Sequence, residues 1–329
     1  MIGAGGQAGR HLVSELLSRE HEVIAVARRW DGQPFGADVE YRIADAMSRE
    51  QLTDALADSS TAYATLGLPY TASVWEAHWP TMTKNVCDAA LDRDARLIYL
   101  DNVYAYGPVS GWMTEQTPYR ATSRKGRARA RAASLLADAI GQRQARIIIA
   151  RAADFFGPGG EMSIIGPRFF KGVLSKTSAK RRVEWLGDPN TRHCYNSLTD
   201  IAAALVTLGE ADESDFGQTW HLPTNGPMTG HELCATLGQI CQCTVIPRPL
   251  GASMIRLAGL FNPLVREQLE MLYQFTSDYL FSDQKFKTRF PDFHQQPFAE
   301  ALDDTLQYFS ARRIGPRAER RASEPSAPQ

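Results

Sequence analysis

Residues 1–9 read MIGAGGQAG, with glycines at 3, 6 and 9. Glycines spaced in this way ahead of a helix do three jobs: Gly3 makes a tight turn, Gly6 lets the backbone approach a ligand, and Gly9 lets helix and strand pack closely. The helix is legible at once, because in RHLVSELLSRE the residues Leu12, Val13, Leu16 and Leu17 fall at i, i+1, i+4 and i+5. Its N-terminus offers free N–H groups and the positive end of its dipole, a site suited to phosphate. The strand that should come first is reduced to Met1 and Ile2. A parallel sheet without that strand leaves its neighbours unpaired. The expectation is therefore a start codon placed too late, the alternative being a central strand cut down to a stub.

Outward from the turn, strands and helices alternate. HEVIAVARR carries a short apolar run, Val23–Ala27, that reads as a buried parallel strand. Strands follow near VEYRI, at TAYATLG, at ARLIYLD and at ARIIIAR. Helices fall at about 48–57, through TMTKNVCDAAL and from about Ser123 to Ile140. This alternation predicts an α/β fold, a doubly wound parallel sheet of Rossmann type. Past Asp154 the pattern loosens: FFGPGG is a turn, RFFKGVL a short helix, RRVEWLGDP a strand and QTWHLP another. SLTDIAAALVTLGE is a helix capped by Ser197 or Thr199. The remainder reads as mostly helical, and RRIGPRAERRASEPSAPQ, 312–329, as a disordered tail.

Composition bounds the function. The chain has 329 residues, 43% hydrophobic and 22% charged, and a net charge of −1. No global field invites nucleic acid or a membrane surface. There is no apolar run of membrane-spanning length and no leader pattern, so the expected location is the cytoplasm. Five cysteines, of which only Cys241 and Cys243 are close, read as reduced thiols and not as a metal site.

The second strand ends in Arg28 and Arg29, and Arg28 lies nineteen residues past Gly9. An acid at that distance reads the ribose hydroxyls of NAD, whereas arginine pairs with the 2′-phosphate of NADP. The expected cofactor is thus NADP in preference to NAD, with Asp45 of IADAM placed to contact adenine.

Four stretches carry a resemblance: GAGGQAG at 3–9, YLDNVYAYGP at 99–108, RAADFFGPG at 151–159 and RHCYNSLTDIA at 192–202. Together and in this order they resemble the extended and atypical short-chain dehydrogenase/reductases, in particular the NAD-dependent epimerase/dehydratase family. The resemblance runs to about residue 225 and weakens beyond. It implies a Rossmann part, 1–160 and about 195–225, with a smaller, mostly helical substrate domain from about 161–194 and 226–311. It also implies a small-molecule substrate and a homodimer.

Members of that family usually place Ser or Thr after the fifth strand and a YxxxK pair on the next helix. The tyrosine is the acid/base, and the lysine holds the nicotinamide ribose and lowers the tyrosine pKa. Here the strand ends in Asp101 and Asn102, and the YxxxK slots align with Lys125 and Arg129. At 100° per residue these two share the apolar face of Ala132 and Leu136, while Arg124, Arg127, Arg131 and Asp138 lie on a solvated one. Arg129 is a candidate for the ribose and phosphate contact. Lys125 is a candidate acid/base residue, phosphate clamp or surface charge.

Tyr104 is the preferred stand-in for the missing acid. Tyr106 reads as structural, and Tyr119 sits on a loop. Trp79 falls where relatives have an asparagine, and His193 reads as a packing or substrate residue. The candidate catalytic set is Asn102, Tyr104, Lys125 and Arg129; the cofactor set is Gly3, Gly6, Gly9, Arg28, Arg29 and Asp45. Two functions fit: an NAD(P)-dependent oxidoreductase or epimerase/dehydratase acting on a small carbonyl or sugar-like substrate, or a non-catalytic NAD(P)-binding sensor or partner module.

Overall fold

Met1 and Ile2 occupy the place of the first strand and join the sheet. The structure, a computed structural model, describes residues 1–175, 178–251, 255 and 259–312. The glycines lead into α1 (Gln7–Ser18), then β1 (Ile24–Ala27), β2 (Glu40–Ile43), α2 (Arg49–Ala55), β3 (Thr61–Ala64), α3 (Ala72–Asp92) and β4 (Arg96–Asn102). The short β5 (Trp112–Met113) precedes α4 (Arg124–Arg143), β6 (Ile147–Ala152) and β7 (Asp154–Phe156). After α5 (Pro167–Leu174) come β8 (Lys180–Leu186), β9 (Arg192–His193), β10 (Tyr195–Ser197), α6 (Leu198–Gly209) and β11 (Gln218–His221).

Ile2 bridges Val26 on one side and Ala64 on the other, both in parallel. Its N–H donates to Tyr63 O (2.7 Å) and its carbonyl accepts from Thr65 N (3.0 Å). On the other side the Met1 carbonyl accepts from Val26 N (2.8 Å) and the Met1 nitrogen donates to Ile24 O (2.8 Å). Beside Met1 and Ile2, the neighbours expected to stand unpaired are paired. The sheet runs β2-β1-stub-β3-β4-β6-β11, parallel throughout. Its order reverses between the stub and β3, and ligands of such sheets bind in the crevice beyond the strand ends at that point.

Both faces of the sheet are covered, which is why β6 can be buried at every position despite its central place. On one face α1 packs against α6, burying Leu12, Val13 and Leu16 against Ile201, Leu205 and Leu208. On the other, α2, α3 and α4 pack side by side over Leu97, Tyr99, Ile147 and Ile149. Caps set the helix starts: Ser123 Oγ accepts from Gly126 N at 3.0 Å and Ser197 Oγ from Asp200 N at 2.9 Å.

The C-terminal third contains β12 (Met228–Thr229), α7 (Gly230–Ile240), β13 (Thr244–Leu250), α8 (Pro263–Leu269), β14 (Leu280–Phe281), α9 (Gln284–Arg289) and α10 (Phe298–Ala311). The mostly helical reading needs one correction, because β13 pairs in parallel with β8 over seven residues. Pro247 and Pro249 hid it: proline cannot donate to a ladder and is confined to sheet edges, which is what a two-stranded ribbon provides. Of the 312–329 tail, Arg312 lies over the Tyr308 ring (4.4 Å) and pairs with Glu161 (3.3 Å), while 313–329 fall outside the described residues. All five cysteines are free. Among the described residues no helix is long and apolar enough to cross a membrane.

β14 lies against β5 and brings His221 under Phe281, with ring centroids 4.0 Å apart. His221 Nδ1–H donates to Ser282 O (2.8 Å), so Nε2 is the acceptor for Tyr106 O–H (2.6 Å). This confirms the structural role expected of Tyr106. Burial pushes His221 down to about 3, so it stays neutral in the fold while an unfolded chain protonates it near 6.5. Stability from this group is complete above pH 6.5. It is expected to fall by about 1.4 kcal/mol per pH unit from there down to pH 3. Urea unfolding at pH 7 and pH 5 should show a steeper acid loss for the wild type than for His221→Gln.

Candidate active site

The glycine turn sits at the switch point. Gly3 has φ +85°, and a Cβ there would come within 2.7 Å of Thr65 O, so only glycine fits against the end of β3. Gly6 is the N-cap of α1 and supplies no side chain to the first-turn N–H groups. At Gly9 a Cβ would press into Gly3 O and lie 2.9 Å from Ala4 Cα, the close helix-on-strand contact expected of the third glycine. Gly5, by contrast, faces open space with nothing within 4 Å. Uncapped N–H groups beside that space are what a pyrophosphate needs. The loop after β7 closes one side, where His11 Nε2–H donates to Pro158 O (2.8 Å).

Arg28 and Arg29 stand exposed just past the end of β1. Asp45 follows β2; its Oδ1 accepts from Met47 N at 2.9 Å, which holds the turn. Ile43 (68% exposed) and Met47 (41%) leave apolar surface around it. The cofactor candidates thus line adjacent loops at one end of the sheet.

The inward face of α4 is as its periodicity predicts: Lys125, Arg129, Ala132 and Leu136 are buried, and Arg124, Arg127, Arg131 and Asp138 exposed. The reading of Lys125 as a surface charge is therefore wrong. Its Nζ donates to Glu267 Oε2 (2.5 Å), Glu267 O (2.8 Å) and Glu270 Oε1 (2.6 Å), and lies over the Tyr70 ring. Those glutamates also bond the starts of two helices: Glu267 accepts from Ala72 N and Glu270 from Arg124 N. Arg129 donates through Nε (2.9 Å) and Nη2 to Asp101 Oδ1, with its guanidinium 4.0 Å over the Trp79 ring. The other carboxylate oxygen of Asp101 accepts from Arg151 Nε (3.0 Å). Arg151 is fully buried between the Tyr106 and Tyr119 rings. Burial alone would raise the Asp101 carboxyl, but Arg129 and Arg151 outweigh it and hold it below the usual carboxylate range. The ribose and phosphate contact expected of Arg129 meets a guanidinium already committed to Asp101.

Asn102 Oδ1 accepts from Tyr104 N (3.1 Å) and so fixes the turn that presents Tyr104. Tyr104 stacks on Trp75 and shares a 3.3 Å hydrogen bond with Tyr70 O–H. Burial, then neighbouring Tyr70 and the charge of Asp154, pushes its hydroxyl well above the ordinary value. It is protonated at neutral pH, and the raised value makes it a weaker acid than an ordinary tyrosine.

Sequence reasoning missed Asp154, Tyr70, Glu267 and Glu270. Asp154 begins β7, just beyond β6, and its Oδ2 lies 3.0 Å from His193 Nε2. Position at a strand end in RAADFFGPG was the available signal for Asp154; nothing local marks the glutamates. Among the described residues no three His, Cys, Asp or Glu side chains are placed to hold a metal.

The fold recurs in known proteins. The sequence model of the NAD dependent epimerase/dehydratase family matches residues 1–222. No curated protein matches. Among solved structures, UDP-glucuronic acid 4-epimerase from Bacillus cereus in complex with UDP-glucuronic acid and NAD is similar at TM-score 0.76 and 15% identity, over 94% of this chain and 98% of that one. DesIV, a dTDP-glucose 4,6-dehydratase from Streptomyces venezuelae with NAD and TYD bound, gives 0.74 and 17%, over 95% and 96%. MoeE5 in complex with UDP-glucose and NAD gives 0.72 and 18%, over 95% and 98%. With the glycine turn at the switch point and two thirds of its length matched, the chain belongs to the NAD-dependent epimerase/dehydratase family of enzymes.

Proposed function

We propose that this enzyme binds NADP(H) over the Gly3–Gly9 turn and moves hydride to or from a hydroxyl-bearing carbon of a nucleotide-linked sugar. The observation that carries the cofactor half is the turn itself, with uncapped helix N–H groups, open space at Gly5 and two exposed arginines past β1. When bound, the dinucleotide supplies the hydride chemistry. Arg28 would pair with the 2′-phosphate, and Asp45, between Ile43 and Met47, would meet the adenine. The sugar half rests on the similar structures, which hold UDP-glucose, UDP-glucuronic acid and TYD.

The protein moves the proton without a YxxxK pair, since Lys125 and Arg129 stand in those slots. Tyr104, protonated and presented at the end of β4, donates to the substrate oxygen. Lys125 and Arg129 hold the surrounding frame through Glu267, Glu270 and Asp101. In this assignment 1–160 and about 195–225 hold the cofactor, and 161–194 with 226–311 close over the substrate.

Titration of NADPH and NADH by intrinsic fluorescence tests the cofactor. Wild type is expected to bind NADPH the tighter. Arg28→Ala should weaken NADPH by about 10- to 100-fold, the worth of a charge-assisted hydrogen bond, and leave NADH unchanged. Binding of neither would sink the proposal. The commitment of both slot cations to carboxylates favours a second reading, a cofactor-binding protein without turnover. A chain that binds NADPH yet transfers no hydride with any nucleotide sugar would support it.

A further inference from the structure

Beyond Tyr104 the substrate side of the site is built from carboxylates and phenols. Asp154 and Tyr195 are register partners in the parallel β7–β10 pair, so their side chains leave that pair on the same face. The His193 ring lies between them in sequence and space, 3.0 Å from the Asp154 carboxylate and with its centroid 4.9 Å from that of Tyr195. Tyr195 is 2% exposed, and its hydroxyl has no hydrogen-bond partner. A buried hydroxyl left so costs free energy that a bound polar group returns. Tyr70 and Tyr104 share a hydrogen bond, and Lys125, over the Tyr70 ring, is closed off by Glu267 and Glu270. The side chains of Asp154, Glu267 and Glu270 each keep about a fifth of their surface, 18%, 18% and 20%.

The charges sum to a negative site. Lys125 with its two glutamates carries −1, and Asp154 adds another, which His193 offsets if protonated. Burial raises the hydroxyl pKa of Tyr70, Tyr104, Tyr195, Tyr273 and Tyr279 first, and the Asp154 charge adds to all five, that of Glu270 to Tyr70 and Tyr273. The cations nearby point elsewhere. Arg129 and Arg151 are buried on Asp101 under Trp79, Tyr106 and Tyr119, Arg124 pairs with Glu76 at the surface, and Arg192 pairs with Asp278.

We infer that Asp154, Tyr195 and the Lys125–Glu267–Glu270 group form a sugar subsite that accepts a neutral, hydroxyl-rich hexosyl group and rejects a uronate. The inference rests on the nucleotide-sugar reading above and narrows it. Asp154 and Tyr195 accept from and donate to sugar hydroxyls, and a substrate carboxylate placed among three fixed carboxylates is repelled, since among the described residues Arg124, Arg129, Arg151 and Arg192 are each spent on another carboxylate.

Calorimetric titration of the full chain saturated with NADPH tests it, using UDP, UDP-glucose and UDP-glucuronic acid as probes. UDP-glucose should bind at least about tenfold tighter than UDP-glucuronic acid, the cost of one like-charge approach. Asp154→Asn should shrink that ratio below about threefold by strengthening the uronate. Tyr195→Phe should weaken UDP-glucose by about 5- to 20-fold, leave UDP unchanged, and leave the melting temperature unchanged or higher because no partner is lost. Should Asp154→Asn fail to fold, the Tyr195→Phe result decides. Equal affinity for the two sugars, or a ratio unmoved by both variants, overturns the subsite and leaves the nucleotide-sugar reading standing if UDP still binds. If none of the three binds, that reading falls and the subsite with it.

Discussion

Gly9→Ala is expected to destabilise the protein by about 3 kcal/mol, the upper end of overpacking costs, and to abolish cofactor binding. The new methyl would sit inside the Gly3 carbonyl and 2.9 Å from both Ala4 Cα and Ala4 O. All of these are backbone atoms of the turn, so no side chain can swing aside. Relief requires α1 to move off the sheet, and α1 carries Leu12, Val13 and Leu16 into the core. Gly5→Ala is the control. Nothing lies within 4 Å of its added carbon, so its unfolding free energy should stay within about 0.5 kcal/mol of wild type, as for ordinary exposed changes. Urea denaturation of both variants, with NADPH titration of Gly9→Ala against wild type, separates the two. A Gly9→Ala protein as stable as wild type would mean the turn does not pack as described.

The second large effect is expected at Asp101. Asp101→Ala should cost about 3–5 kcal/mol, the penalty of leaving buried charge without its partner. Here one carboxylate serves two arginines, so its loss strands both Arg129 and Arg151. Arg151 already has a buried Nη1 with no partner, which leaves the network little slack. The pH dependence follows from the same geometry. The folded Asp101 pKa lies below its unfolded value near 3.9, so the contribution is whole above about pH 4. It disappears as pH falls from there through the folded value. Wild type should therefore lose stability below pH 4 more steeply than Asp101→Ala in paired urea titrations. Replacing Asp101, Arg129 and Arg151 together by apolar residues should recover much of the loss, since well-packed apolar side chains often match a buried ion cluster.

Two of the sequence expectations show how far local pattern reaches. The α4 helix reads RKGRARARAASLL, too basic for a core helix by composition, yet its 100° periodicity separated buried Lys125 and Arg129 from four solvated charges. Periodicity fixes which side chains face inward. It says nothing of what they meet there. Arg129 found Asp101 twenty-eight residues away and Lys125 found glutamates more than 140 residues on. Likewise the proline-bearing β13 looked unlike a strand because its partner β8 lies some sixty residues earlier and supplies the ladder.

The sequence by itself determined the glycine turn, the parallel alternation of strands and helices, and the inward face of α4, since steric needs of the backbone and side-chain period are local. Only the tertiary structure decided that Met1 and Ile2 lie between β1 and β3, because their hydrogen-bond partners are far along the chain. It alone decided the charge balance of the candidate site as well. Whether a cation is free or spent depends on which carboxylate the fold brings within about 3 Å, and electrostatic partners are chosen by distance in space, not along the chain.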